Sequence, residues 1–350
     1  MRLAVVIPLY NHEAYIGEAL RSVLEQTRPV QKIVVVDDGS RDRSVEVVRE
    51  FKDERIALFT QENAGAHVTI NRAVAEAARD CDVIAILNSD DIYHPARLEK
   101  CAGFLEANPQ LDVVCTALKL IDSSGAELDA ANPKARWART VWAVRRDDMG
   151  EWLGIANFAK TSSNFVARRD YLLVHPFRAY RYVHDYFFAA VCAFDHKLGV
   201  LADELLLYRT HPSNTIKSDG QEKVTREVLQ MNLDLIRELA PRLAQSPELR
   251  RDYTGYLRLL VGNHADFRAE AFVHILGRLV AETPPESLAA MVSEMTGAQF
   301  PELTEPSSRA LKKQLAEAES ISALKNEIKR SKWLRIGRKL GFIGNTDGLL

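Results

Sequence analysis

The 350-residue chain reads as an α/β protein with a mainly parallel central sheet and an α-helical C-terminal region. Three observations predict this: unalternated apolar runs about every 23–30 residues, helical periodicity between them, and no β-rich run after Asp219. The runs are Leu3–Ile7, Ile33–Val36, Ile56–Phe59 and Val83–Leu87. Continuous Val, Ile and Leu is the pattern of strands buried on both faces, and the interval is close to that of a βαβ unit.

Between the runs, Ile16, Ala19, Leu20, Val23 and Leu24 recur at three and four residues, and Val45, Val47 and Val48 follow Ser44. Val68, Ala75 and Ala78 mark a third helix. A fourth starts at Pro95, a good first-turn residue, and ends near Asn108-Pro109. Val113–Leu120 reads as a fifth strand, residues 122–158 as loops and short helices, and Asn164–Ala167 and Leu205–Thr210 as further strands. Long amphipathic helices follow. The expected organisation is an α/β domain over 1–219, a helical domain over 220–310 and an amphipathic basic tail over 311–350.

Hydrophobic residues make up 47% and charged residues 27%, which excludes a disordered or collagen-like chain. A net charge of −2 argues against nucleic acid as a partner. The four cysteines form no C-x-x-C pair and read as reduced core residues. Leu3–Ile7 meets Pro8 too early for a signal-peptide core, and no apolar run is long enough to span a bilayer. The expected location is the cytoplasm or the cytoplasmic face of a membrane.

In open α/β sheets ligands bind beyond the carboxyl ends of the strands. Here those ends are polar: Pro8-Leu9-Tyr10-Asn11, Asp37-Asp38-Gly39-Ser40 and Asn88-Ser89-Asp90-Asp91. Two acidic pairs at neighbouring strand ends repel unless a cation or hydrogen-bond donors lie between them. Mg²⁺ or Mn²⁺, joining carboxylates to diphosphate oxygens, meets that need.

With the Asn63-x-Gly65 turn and the Tyr208-Arg209-Thr210-His211 close, these motifs resemble family 2 glycosyltransferases of the GT-A type over about Leu3 to Thr215. The resemblance implies an inverting enzyme that transfers a sugar from a nucleoside diphosphate sugar, a UDP-sugar by preference, to a hydroxyl of a glycan or lipid-linked glycan. It implies that Pro8, Tyr10, Asn11, Asp38, Asn63 and Asp90 bind the nucleotide sugar, with Tyr10 on the nucleobase, Asp38 on a uracil N–H and Asp90 on the ribose. Asp91 is the implied metal ligand, and His211 a second one. The base for the acceptor hydroxyl is implied at the start of a helix, where Asp185 stands, with His184 in place of the usual Glu. At the arginine position of the turn the chain has Ile70, so Arg72 is the candidate for that charge. Asn88 stands where many relatives have Asp.

Trp137, Trp142, Trp152 and Phe158, followed by Ser163 and Asn164, have the composition of a sugar-binding cleft or of an interdomain aromatic cluster. Trp152, Ser163, Asn164 and His184 are therefore candidate acceptor contacts. Residues 325–339 carry seven basic side chains, with Trp333 among interleaved apolar residues, which suits either an anionic membrane surface or a solvated helix. The helical stripe from Leu311 suits self-association or packing on the same chain. Two other functions compete: a sugar-phosphate nucleotidyltransferase, which lacks here its glycine-rich loop after strand one, and a silent nucleotide-sugar-binding scaffold.

Overall fold

The apolar runs form the parallel centre of the sheet: β1 (Leu3–Leu9), β2 (Lys32–Asp37), β3 (Ile56–Thr60) and β4 (Val83–Ile86). The computed structural model describes residues 1–262 except Ala130, Val144, Arg146, Ser213 and 215–220. The helices α1 (Ile16–Leu24), α2 (Ser44–Glu50) and α3 (Ala66–Ala77) connect the four strands. In α1 the spacing of Ile16, Ala19, Leu20 and Val23 puts all four on one buried face. β2 and β4 flank β1 in parallel, with Val6 opposite both Val34 and Ile86. All four of these strand ends therefore point the same way.

After β4 come β5 (Ile92–Tyr93), α4 (Arg97–Ala107), β6 (Val113–Ile121), α5 (Pro133–Ala143) and α6 (Met149–Ile155). A 3-10 turn (Ser162–Asn164) leads into β7 (Val166–Arg168), α7 (Arg169–Val174), α8 (His184–Phe194) and β8 (Leu198–Arg209). Two helices follow, α9 (Gln221–Gln245) and α10 (Pro247–Gly262). The sheet order is β3-β2-β1-β4-β7-β6-β8-β5. β7 runs antiparallel to both β4 and β6, whereas β6 and β8 are parallel. This reversal brings the 3-10 turn against the end of β4, where the acidic run begins.

The helix expected from Pro95 begins at Arg97, because Pro95 and Ala96 form the turn that precedes it. Two pieces of the sheet were not expected. β5 has only two residues, too few for a periodic signal, and is defined by pairing Ile92 with Leu207 and Tyr93 with Leu206. β8 begins at Leu198, and the exposed Asp203 and Glu204 within it interrupt the apolar pattern while register shifts bend its pairing with β6.

Met1–Leu259 forms one compact unit. The boundary expected at 219 falls outside the described residues, as do most of the expected helical domain and all of the basic tail. Among the described residues no helix is long and apolar enough to cross a membrane.

Candidate functional site

The ends of β1 and β2 are tied together by short polar side chains. Asn11, at φ 51°, takes the left-handed conformation that Asn tolerates better than most residues. Its N–H donates to Ser40 Oγ at 2.9 Å, and its Oδ1 accepts from the Arg41 N–H at 2.8 Å. Tyr10 beside it is 44% exposed, the one large aromatic ring at this strand end open to a ligand. Pro8 is part-buried and precedes the turn.

Asp38 is only 4% exposed, and its carboxylate organises the next loop. Oδ1 accepts from Gln61 Nε2 at 2.7 Å and the Ala64 N–H at 2.9 Å; Oδ2 accepts from the Gly65 N–H at 2.9 Å. The Asn63 amide donates to the Asp38 carbonyl at 3.0 Å. Gly39 makes the turn possible at φ 76°, where a Cβ would also lie 3.1 Å from the Asn63 nitrogen. Arg72 does not present its charge directly to this pocket. Its Nη1 donates at 3.0 Å to both the Thr60 carbonyl and Gln61 Oε1, and the guanidinium lies over Phe59. It therefore reaches Asp38 only through Gln61.

The four residues after β4 divide sharply. Asn88 is locked by Ser163 Oγ, Thr161 Oγ1 and Ser162 Oγ at 2.8–2.9 Å. Asp91 is fully buried, with Oδ2 on the Ser163 hydroxyl at 2.5 Å and Oδ1 on the Arg209 N–H at 2.9 Å. Burial, then the adjacent charge of Asp90, pushes the Asp91 carboxyl well above the ordinary carboxylate range. For Asp90 burial acts in the same direction, but the hydrogen bond from His211 and the charge of His12 outweigh it and hold the carboxyl below its usual value. The two neighbours are thus driven apart, one toward the acid and one toward the anion.

Around Asp90 the chain gathers two imidazoles. His211 Nε2 lies 2.9 Å from Asp90 Oδ2, and His12 Nδ1 lies 2.7 Å from Ser89 Oγ. One ligand atom from each of His12, Asp90 and His211 lies within 4.8 Å of the others. That is close to the separation of about 4 Å between opposite ligands each about 2.1 Å from one ion. Burial lowers the pKa of His12, which favours the neutral imidazole that a metal requires. The donor set fits a divalent transition-metal ion.

The expected ligands were Asp91 and His211. His211 is at the cluster with Asp90 and His12, whereas each oxygen of Asp91 accepts a hydrogen bond, one from Ser163 Oγ and one from the Arg209 N–H. His12 follows directly on the strand-one motif, and that position was the available signal. Arg209 was also missed. Its guanidinium bonds the Asp90, Asp122 and Ser123 carbonyls and the Glu18 carboxylate and lies over Tyr15, fixing the end of β8 so that His211 reaches Asp90.

Asp185 sits in the first turn of α8, 6% exposed. Its Oδ1 accepts the Tyr186 N–H at 2.7 Å, and Asn157 Nδ2 approaches Oδ2 at 3.4 Å. Burial raises its carboxyl above the usual value despite the opposing charge of His184. His184 Nδ1 is buried with no hydrogen-bond partner among the described residues. The loop 157–164 joins the two halves of the site, since Asn157 meets Asp185 while Ser162 and Ser163 meet Asn88 and Asp91. Lys160 in that loop has its ammonium pushed down to about 7 by burial.

Three of the expected acceptor contacts are not available to an acceptor. Trp152 is fully buried, stacked on Phe158 with centroids 4.0 Å apart, and its indole N–H donates to the Val141 carbonyl. Ser163 and Asn164 are also fully buried, Ser163 on Asp91 and Asn164 on Arg97 and Thr116. The aromatic signal is that of a core cluster, not of a cleft. Trp152→Ala should therefore cost about 3–5 kcal/mol of stability in urea unfolding, the range for a large aromatic removed from a core. A loss below about 1 kcal/mol would return the ring to the surface.

Residues 4–173 match the model of glycosyl transferase family 2. An uncharacterized glycosyltransferase of Nostoc sp. is 26% identical over 69% of this chain and 77% of its own length. TuaG of Bacillus subtilis, a candidate teichuronic acid biosynthesis glycosyltransferase, is 35% identical over 29% of this chain. There the match spans 41% of the relative, and for the Rickettsia typhi and Haemophilus influenzae relatives it likewise spans under half their length. Among solved structures, S. aureus TarS 1–349 in complex with UDP-GlcNAc superposes with a TM-score of 0.57 at 17% identity, over 83% of this chain and 84% of that one. The Pyrobaculum calidifontis mannosyltransferase PcManGT, in complex with GDP-Man and Mn²⁺, gives 0.50 at 18% identity, covering 84% of each chain. At such identities the likeness is one of fold.

Proposed function

The chain belongs to glycosyl transferase family 2 through residues 4–173, and we propose that this enzyme transfers a sugar, with inversion, from a UDP-sugar to a glycan hydroxyl in cell-surface polysaccharide synthesis. The observation that carries the reading is the cluster at the strand ends: an ionised Asp90 between His12 and His211, with the open ring of Tyr10 at the neighbouring strand end. The TarS complex with UDP-GlcNAc supports a UDP-sugar, and TuaG supports a polysaccharide product.

In this reading Tyr10 covers the nucleobase face, and Asp38 adds a further acceptor through the second lone pair of Oδ2. His12, Asp90 and His211 hold a divalent cation, which when bound neutralises charge on the departing diphosphate. Two imidazoles beside one carboxylate favour Mn²⁺ over Mg²⁺, which prefers oxygen ligands and keeps its water, and the Mn²⁺ complex of the Pyrobaculum mannosyltransferase supports that choice. Asp185 accepts the proton of the attacking hydroxyl. Its raised carboxyl makes it a stronger base than an ordinary carboxylate.

A donor panel tests the proposal. With UDP-, GDP- and dTDP-sugars offered in Mn²⁺ or Mg²⁺, a UDP-sugar with Mn²⁺ should give the largest thermal shift and release nucleotide. No response to any donor would remove the transferase reading, and a larger response to a GDP-sugar would remove the UDP assignment.

A further inference from the structure

The family match ends at residue 173, whereas Asp185 and the contacts that hold its helix lie beyond it. One side of α9 grips the segment leading into α8. Arg178 pairs with Glu238, and the Tyr180 hydroxyl donates to Asp234 Oδ2 at 2.8 Å. Glu227 then accepts three successive backbone N–H groups, from Arg181 at 2.6 Å, Tyr182, and Val183 at 3.1 Å. Glu227, Asp234 and Glu238 are spaced by seven and four residues, which sets them on a single stripe of the helix. At the other end of α8, Arg242 donates to Asp195 Oδ1 at 2.6 Å and to the Phe194 carbonyl at 3.3 Å. α9 therefore sets an anion at the N-terminus of α8 and a cation at its C-terminus, each the sign that the helix dipole favours.

We infer that α9 is a positioning element of the active site, and that Glu227 is the residue that sets Asp185 against the acceptor hydroxyl. The inference rests on the reading of Asp185 as base. Val183 caps α8 and Asp185 is the second residue of that helix, so the three N–H groups on Glu227 define the turn from which the carboxylate projects. Hydrogen bonds to an ionised acceptor are about twice as strong as neutral ones, and one carboxylate shared among three donors leaves little freedom for rotation of the turn. Glu227 itself is in contact with the turn and not with Asp185. It acts on alignment, and a displacement of about 1 Å at a reacting group costs about a hundredfold in rate.

The test is a double-mutant cycle in the full chain, with turnover read as nucleotide release from the most responsive donor of the panel. Glu227→Gln should lower kcat about a hundredfold while the donor KM and the thermal shift by UDP with Mn²⁺ stay within twofold. Asp185→Asn/Glu227→Gln should be no slower than Asp185→Asn alone, because a positioning residue has nothing left to position. A double variant that loses the product of both effects would overturn the inference, as would a Glu227→Gln enzyme within threefold of wild type beside a slow Asp185→Asn. If Asp185→Asn itself turned over normally, the base reading would fail and take this inference with it. Should Glu227→Gln not fold, Glu227→Asp keeps the charge but shortens the reach, and it should lose about tenfold in kcat at unchanged donor KM. Unchanged turnover there would count against the role.

Discussion

Asp185→Asn is expected to lower turnover by two to four orders of magnitude, the usual contribution of a positioned general base, while UDP and Mn²⁺ bind as before. The substitution is close to isosteric, and the Asn side-chain oxygen can still accept the Tyr186 N–H that Asp185 holds at 2.7 Å. Its effect on stability should have the opposite sign to its effect on rate. A carboxyl whose folded pKa lies above its unfolded value is ionised at a cost to the folded state when the pH is above both. Burial raises Asp185 in this way, so removing the charge leaves Tm unchanged or higher at pH 7. The wild-type rate should fall on the acid side as Asp185 takes up a proton, with the midpoint displaced upward from the ordinary carboxylate range. Near-normal turnover of Asp185→Asn would remove it from the reaction.

The second large effect separates two adjacent acids. Asp90→Asn should weaken Mn²⁺ affinity by more than the roughly 10–100-fold that loss of an outer-shell partner costs, because an ionised ligand disappears from between two imidazoles. Asp91→Asn should weaken it far less. The Asn side chain can accept the Arg209 N–H through its oxygen and donate to Ser163 Oγ through its nitrogen, so the hydrogen-bonded frame survives. Titration of each variant with Mn²⁺ in the presence of UDP measures the order. The reverse order, with Asp91→Asn the more damaging, would restore Asp91 as the ligand and place Asp90 in support.

The parallel centre of the sheet was legible because each of its strands is a nearly unbroken Val/Ile/Leu run, a pattern that few other arrangements explain. Its strand ends were legible for the same reason: once the direction of a parallel sheet is known, the residues after each strand are known to share one edge. The aromatic segment from Trp142 to Phe158 could not be read, because a stacked core cluster and a sugar platform use the same side chains. Burial separates them, and Trp152 proves to be fully enclosed. The contribution of α9 was equally hidden. Glu227, Asp234 and Glu238 look like an ordinary solvated face until the segment 178–183 is set against them.

The sequence alone determined the fold class, the acidic strand ends and the chain's resemblance to family 2 glycosyltransferases, since these depend on patterns local to each strand and the turn after it. The tertiary structure decided the partners of each carboxylate. Asp90 and Asp91 are chemically identical neighbours, and nothing in their order distinguishes them. They differ because the reversed β7 brings Ser163 to Asp91, while the end of β8 brings the Arg209 N–H to Asp91 and His211 to Asp90. Ionisation and ligand capacity are set by burial and partners, and those come from residues more than seventy positions away.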